Sequence, residues 1–157
     1  MPVAACSVEA LSDVRFINIR PAQANGTEPG MSGLRELMAD EIVRTQARTA
    51  ELLLRLGKGN AANRLAYALL KFYARLEALG LTNETRFAFP MTQHKLGGFT
   101  GLSNVHVCRT MRRFEREKII SHPNKTDIIL HDLNALCETA GIDLATLQHE
   151  ILVHQTG

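Results

Sequence analysis

Residues 100–113 read TGLSNVHVCRTMRR, and three arginines (Arg109, Arg112 and Arg113) stand there with Asn104 and His106, directly behind a Gly–Leu–Ser turn. These side chains can donate hydrogen bonds. A guanidinium presents two parallel N–H groups, which match O6 and N7 of guanine or two oxygens of a phosphate. Ser103 is placed to cap a helix running to about Lys118. The free backbone N–H groups at such a helix start favour an anion. A helix that only packs has no need of so much positive charge just after its start.

The surrounding charge has the same sense. Between Arg86 and Lys125 there are eight Lys or Arg against two acids, +6 within forty residues of a chain whose net charge is only +2. Residues 126–157 carry no Lys or Arg at all. A local basic block in a nearly neutral chain is the footprint of a nucleic-acid-binding module. A solvated face has the same composition, and charge alone does not separate the two.

Catalysis finds no such footing. The six histidines and three cysteines (Cys6, Cys108, Cys137) show no C-x-x-C or H-x-x-x-H spacing. GKGNAAN at 57–63 lacks the full spacing of a phosphate loop. No enzyme, metal or cofactor is expected. Three distant cysteines point to reduced thiols in a cytoplasm rather than to a disulfide framework. With 45% hydrophobic and 22% charged residues, the composition is that of an ordinary globular protein. No apolar run approaches the roughly 18 residues of a membrane span, so no membrane partner is expected. MPVAACSVEALSDV at the start lacks the basic leader and apolar core of a secretory signal.

A basic helix needs other elements to hold it. VRFINI (14–19) alternates like a strand, and RPAQANGTEPG (20–30) reads as a loop. From Ser32 to Leu56 the pattern is helical. Met38, Ile42, Thr45, Thr49, Leu52 and Leu56 recur there at 4-3-4-3-4 spacing, a heptad seam. A stripe of that length needs a cover, and a second copy of the chain is favoured over another domain. Thr45 and Thr49 weaken the seam. GKG (57–59) ends this helix, and Asn60 caps the next. Ala61, Leu65, Ala68, Leu69, Phe72 and Leu76 line its core face, up to Gly80. RFAFP (86–90) suits a short strand, and Thr92 caps a short helix over 93–99. KIISHPNKTDIIL (118–130) has the apolar–turn–apolar form of a β-hairpin. Asp132 caps a helix to Ala140, Gly141 closes it, and Asp143 caps a last one.

Short helix, glycine turn, longer basic helix and hairpin make a winged helix-turn-helix. The fold class expected is mainly α with a small β-hairpin wing, preceded by a long helix. In it Leu96 reaches the core, Gly97 lets the two helices cross closely, and Gly101 takes the turn conformation that a Cβ disfavours. Leu102 and Val107 anchor the second helix from beneath.

MTQHKLGGFTGLSNVHVCRTMRRFEREKII (91–120), followed by DIILHDLNALCETAG (127–141), resembles the C-terminal DNA-binding domain of Crp/Fnr-family bacterial transcription regulators. ELLLRLGKGNAANRLAYALLKFYARL (51–76) is similar to the end of that family's dimerisation helix and the helix after it. The resemblance covers roughly residues 30–140. It implies four parts: a remnant of a sensor β-roll with a linker (1–30), a dimerisation helix (31–57), the DNA-binding domain (58–142) and a C-terminal helical extension (143–157). It also implies that Ser103, Asn104, Val105 and Arg109 point into the major groove, with Arg109 foremost as a base contact. Thr92, Gln93 and His106 would then lie near phosphates. Arg112, Arg113 and Arg116 would touch phosphate, pack, or sit in solvent. The implied partners are double-stranded DNA, a second copy of the chain and RNA polymerase.

The chain departs from the family pattern in places. Val105 stands where many members carry an acidic base-reading residue, so a different DNA sequence is expected, and a thymine methyl would suit it. Cys108 replaces a Gly, Ser or Asn and is expected to face outward beside Arg109. Only about thirty residues precede the long helix, and ALSDVRFINI resembles just the tail of the roll. No cyclic-nucleotide pocket is expected, and Cys6 stands alone where iron–sulfur sensors cluster cysteines. The expectation is thus a dimeric, sequence-specific DNA-binding regulator of the cytoplasm. The rival reading is a truncated interaction subunit that pairs through residues 31–56 with a full-length regulator and does not itself read DNA.

Overall fold

The computed structural model describes residues 10, 13–17 and 31–152. The chain divides into two units, 1–53 and 54–157. Most of the described part of the first belongs to helix α1, Met31–Lys58. Its 28 residues make a rod about 42 Å long at 1.5 Å per residue. Met38, Ile42, Thr45 and Thr49 are exposed along it. The side chains of Leu52 and Leu56 lie outside the described ones. Thr45 Oγ1 donates to Glu41 Oε1 (3.4 Å), and Thr49 Oγ1 donates to the carbonyl oxygen of Thr45 (2.7 Å). Both hydroxyls are thereby satisfied within their own helix, which lowers the cost of laying them against an apolar surface. The strand expected over 14–19 is not found at 14–17, which carry no regular secondary structure. Alternation alone makes no strand without a partner to pair with. Residues 18 and 19, and the rest of the expected β-roll remnant apart from 10 and 13–17, lie outside the described residues.

Helix α1 ends within GKG (57–59) as expected: its last helical residue is Lys58, and the chain breaks at Gly59–Asn60. The stop is set by the next helix, α2 (Ala61–Ala78). Asn60 Oδ1 accepts from the Asn63 N–H while Asn63 Oδ1 accepts from the Asn60 N–H, both at 3.0 Å. This reciprocal cap fixes Asn60 outside any helix. Arg64 Nε adds a bond to the Gly59 carbonyl oxygen at 2.8 Å.

All six residues from Leu65 to Leu70 are buried, so α2 has no solvent face over that length and is the central rod of the second unit. One core face was expected; the structure shows several. Helices α5 (Leu133–Ala140) and α6 (Leu144–Leu152), near the end of the chain, pack against it. Asn63 Nδ2 donates to the Thr139 carbonyl oxygen (2.5 Å), and Gln148 Nε2 donates to Glu77 Oε2 (2.6 Å). Tyr73 donates to Glu77 Oε1 at 2.7 Å, and burial together with that carboxylate pushes the phenol's pKa up to about 12.

The remaining elements are β1 (Thr82–Asn83), β2 (Arg86–Ala88), α3 (Gln93–Thr100), α4 (Asn104–Arg116), β3 (Ile120–Ser121) and β4 (Asp127–Leu130). The strands form one antiparallel sheet in the order β1-β2-β4-β3. Phe87 faces Ile128 across β2 and β4, and Ile120 faces Leu130 across β3 and β4; all four side chains are buried. The wing is therefore joined to the domain by backbone as well as side chains. Its loop is shaped by Asn124, whose Oδ1 accepts from the backbone N–H groups of Thr126 (2.8 Å) and Asp127 (2.7 Å). This is the mainly helical, winged helix-turn-helix architecture expected from the sequence. No described helix is long and apolar enough to cross a membrane.

Candidate nucleic-acid interface

Helix α4 is held at its start and along its inner face. Thr92 caps α3 by accepting from the Lys95 N–H at 3.2 Å, and Leu96 and Gly97 are buried beneath. Gly101 closes α3 at φ 67°, in the left-handed region, and the chain turns directly into the cap of α4 at Ser103. Val107, Thr110, Met111 and Phe114 are the buried side of α4. Their spacing leaves the opposite side to solvent.

That outer side carries the residues singled out in the sequence. Asn104, Val105, His106, Arg109, Arg112, Arg113 and Arg116 are all exposed. Val105, at 64% exposure, is a branched aliphatic side chain with little of the protein covering it. Thr92, Gln93 and Ser103 are also exposed, at the starts of α3 and α4. By helical periodicity Val105, Arg109, Arg112 and Arg116 follow one outward ridge, while His106 and Arg113 lie on a flank. Cys108 is half-buried and lines the same surface groove as Arg109 and Arg112.

The arginines differ in their surroundings. Arg113 Nε bonds Glu117 Oε1 at 2.9 Å. Among the described residues no hydrogen-bond or ion-pair partner engages Arg109, Arg112 or Arg116. Glu115, the other acid of the helix, bonds instead to His122 Nδ1 on the wing at 2.6 Å. The wing strand β4 is fastened on its other side, where Arg86 Nε donates to Asp127 Oδ2 at 2.9 Å. That guanidinium, with help from Asn124 and Thr126, holds the Asp127 carboxyl below the usual carboxylate range.

A groove of about 960 Å³ runs beside α4. One wall is α4 itself, and part of the other is Asn60, Ala61 and Ala62 at the start of α2. The sequence pattern places Ala61 on the core face of α2, and here it lines the groove with Ala62. Their signal was an Asn cap followed by two side chains too small to cover the backbone behind it. Two features could serve an anion here: the first N–H groups of α2, which have no carbonyl partner within their helix, and the guanidinium groups opposite. No group of three or more His, Cys, Asp or Glu that could hold a metal ion occurs among the described residues.

The profile of the Crp-like helix-turn-helix domain matches residues 63–139. The chain is 34% identical over 105 residues to the anaerobic regulatory protein of Haemophilus influenzae, covering 67% of this chain and 38% of that one. It is 32% identical over 108 residues to the transcriptional activator protein anr of Pseudomonas aeruginosa, with 69% and 42% covered. Residues 63–139 are a Crp/Fnr-family helix-turn-helix domain. Similarity to the family extends beyond them: the nitrogen fixation regulation protein FixK of Azorhizobium caulinodans is 28% identical over 134 residues, 83% of this chain and 52% of that protein. The chain thus spans about half or less of these Crp/Fnr relatives. The solved structure of FixK2 from Bradyrhizobium japonicum has the same fold, with a TM-score of 0.51 at 23% identity over 69% of this chain and 58% of that one.

Proposed function

We propose that this chain binds double-stranded DNA as the reading module of a transcription regulator, with α4 in the major groove and two copies joined through α1. The observation that carries the reading is the row of Arg109, Arg112 and Arg116, exposed and without carboxylate partners among the described residues. Cations three and four residues apart on a helix repel one another and cost stability. A line of phosphates relieves that repulsion. Val105 and Arg109 on the ridge are then the base readers, and Thr92, Gln93, Ser103, Asn104 and His106 surround them. Arg112, Arg113 and the start of α2 suit a phosphate strand lying in the groove.

Dimerisation rests on the exposed seam of α1, where Met38 and Ile42 are uncovered in the single chain. In helix-turn-helix dimers the two reading helices stand one DNA turn apart, roughly 34 Å, and select a near-palindromic site. A subunit that only paired with another regulator would leave the arginine row of α4 without a role.

The test is selection of bound DNA from a random pool by the purified chain, followed by titration at several salt concentrations. An enriched near-palindrome is expected. The log–log salt slope should be about −0.9 for each phosphate contacted, several units for a dimer. No enrichment together with a flat salt response would end this reading.

A further inference from the structure

Ser103 caps α4, and its single hydroxyl meets two groups of one residue. The His106 N–H donates to Ser103 Oγ (3.4 Å), and His106 Nδ1 lies 2.8 Å from the same oxygen. A hydroxyl has one proton and two lone pairs. With one lone pair used by the cap, the proton can go to Nδ1. The opposite arrangement, Nδ1–H donating to Oγ, crowds two donors onto one oxygen and turns the hydroxyl proton to solvent. In a neutral imidazole, the bond made at one nitrogen sets which nitrogen carries the proton.

We propose that Ser103 is a positioning residue that holds the neutral His106 ring as its Nε2–H tautomer, so that His106 offers one donor to a DNA phosphate oxygen. This rests on the DNA-binding reading above. His106 is exposed in the first turn of α4 and lies about 100° around the helix from Val105, off the outward ridge. A flank position faces the groove wall, where the phosphates are, rather than the base edges. A phosphate oxygen only accepts. The Nδ1–H tautomer would present it with the lone pair of Nε2, and the contact would be repulsive. Purine N7, guanine O6 and thymine O4 are the base-edge acceptors of the major groove, and the test separates phosphate from base.

The first arm needs no DNA. Long-range nitrogen–proton NMR correlations of the full chain, with the imidazole neutral, report which ring nitrogen carries the proton. The unmodified chain and Ser103→Thr should show Nε2 protonated. Ser103→Asp keeps a cap but has no proton to give, so its neutral ring should move to Nδ1–H. A wild-type proton on Nδ1, or an unchanged tautomer in Ser103→Asp, overturns the proposal.

The second arm uses the selected DNA site. His106→Gln places an amide near the position of Nε2 and should bind more tightly than His106→Asn, whose amide reaches only that of Nδ1. Ser103→Ala should weaken binding by about 3- to 10-fold, the worth of one net hydrogen bond, and Ser103→Thr should restore it. The reverse order of Gln and Asn overturns the proposal. A methylphosphonate at the contacted position should cancel the difference between these two variants. If the difference survives the methylphosphonate, whether or not 7-deazapurine substitution cancels it, the phosphate assignment is overturned. A chain that selects no DNA overturns the phosphate contact together with the DNA-binding reading, and the spectra of the free chain then still decide the role of Ser103.

Discussion

A Cβ on Gly97 would stand 2.6 Å from the carbonyl oxygen of Leu102, so α3 meets the turn into α4 through bare backbone. The Leu102 N–H bonds the Gly97 carbonyl oxygen at 2.9 Å across the same contact. Gly97→Ala should therefore destabilise the domain by at least about 1–3 kcal/mol, the cost of overpacking a tight site. Gly98 is exposed with nothing within 4 Å of its added Cβ. Gly98→Ala should stabilise by about 0.5–1 kcal/mol through helix propensity. Thermal or denaturant melts decide it, and equal tolerance at both positions would contradict this crossing.

The ion pair between Arg113 and Glu117 separates two kinds of arginine on α4. Arg109→Ala should cost about 1–3 kcal/mol on the selected site and relax preference at one base pair per half-site. Arg113→Ala should weaken all sequences evenly and make the salt slope shallower by up to about one unit. Glu117→Gln frees the Arg113 guanidinium and should tighten binding to every sequence alike. Titrations against the site and its single-base variants make the comparison. Unchanged base preferences in Arg109→Ala would mean that this face of α4 does not read bases.

Exposed Met38 and Ile42 on α1 make the assembly testable with little risk to the domain. Replacing both with Lys should leave the melting temperature of the 54–157 unit nearly unchanged. It should convert dimers to monomers in light scattering and abolish tight binding. An unmodified chain that is monomeric at micromolar concentration would refute dimerisation through α1.

Two carboxyls should make stability fall at acid pH. Asp127 is held below its ordinary range by Arg86, and Asp143 by the backbone N–H and hydroxyl of Thr146 at the start of α6. The folded state keeps both ionised at a pH where the unfolded chain has begun to protonate them. Their contribution is full above about pH 4, the unfolded carboxyl value, and is lost as pH falls through the lower folded values. Asp127→Asn and Asp143→Asn should each flatten the fall of melting temperature below that pH. A variant whose acid profile superimposes on that of the unmodified chain would show that its carboxyl makes no such contribution.

The elements of the winged domain were readable because their ends are chemical. Asn60, Thr92, Ser103, Asp132 and Asp143 were all expected as caps, and each accepts a backbone N–H two or three residues into its helix. The basic ridge of α4 was readable from periodicity, since about two turns of buried Val107, Met111 and Phe114 leave the arginines nowhere else to go. What escaped were features set by distant partners. Strand β1 exists because Thr82 and Asn83 pair with Phe87 and Arg86, and its turn puts Glu84 at φ 52°, a conformation no propensity assigns to glutamate. Cys108 and the alanines beside the groove depend on how α2 lies against α4, which no local pattern encodes. Within GKG (57–59) the end of α1 falls after Lys58: a glycine permits a stop, but the cap at Asn60 places it.

The four-stranded sheet ends at β1 on one side and β3 on the other, and each is only two residues long. A sheet edge recruits further chains when it offers a long row of unpaired amides. Here each edge strand is a single two-residue repeat, so the wing gives no long template for edge-to-edge aggregation. Fibril-forming strand addition has no long edge from which to begin on this sheet.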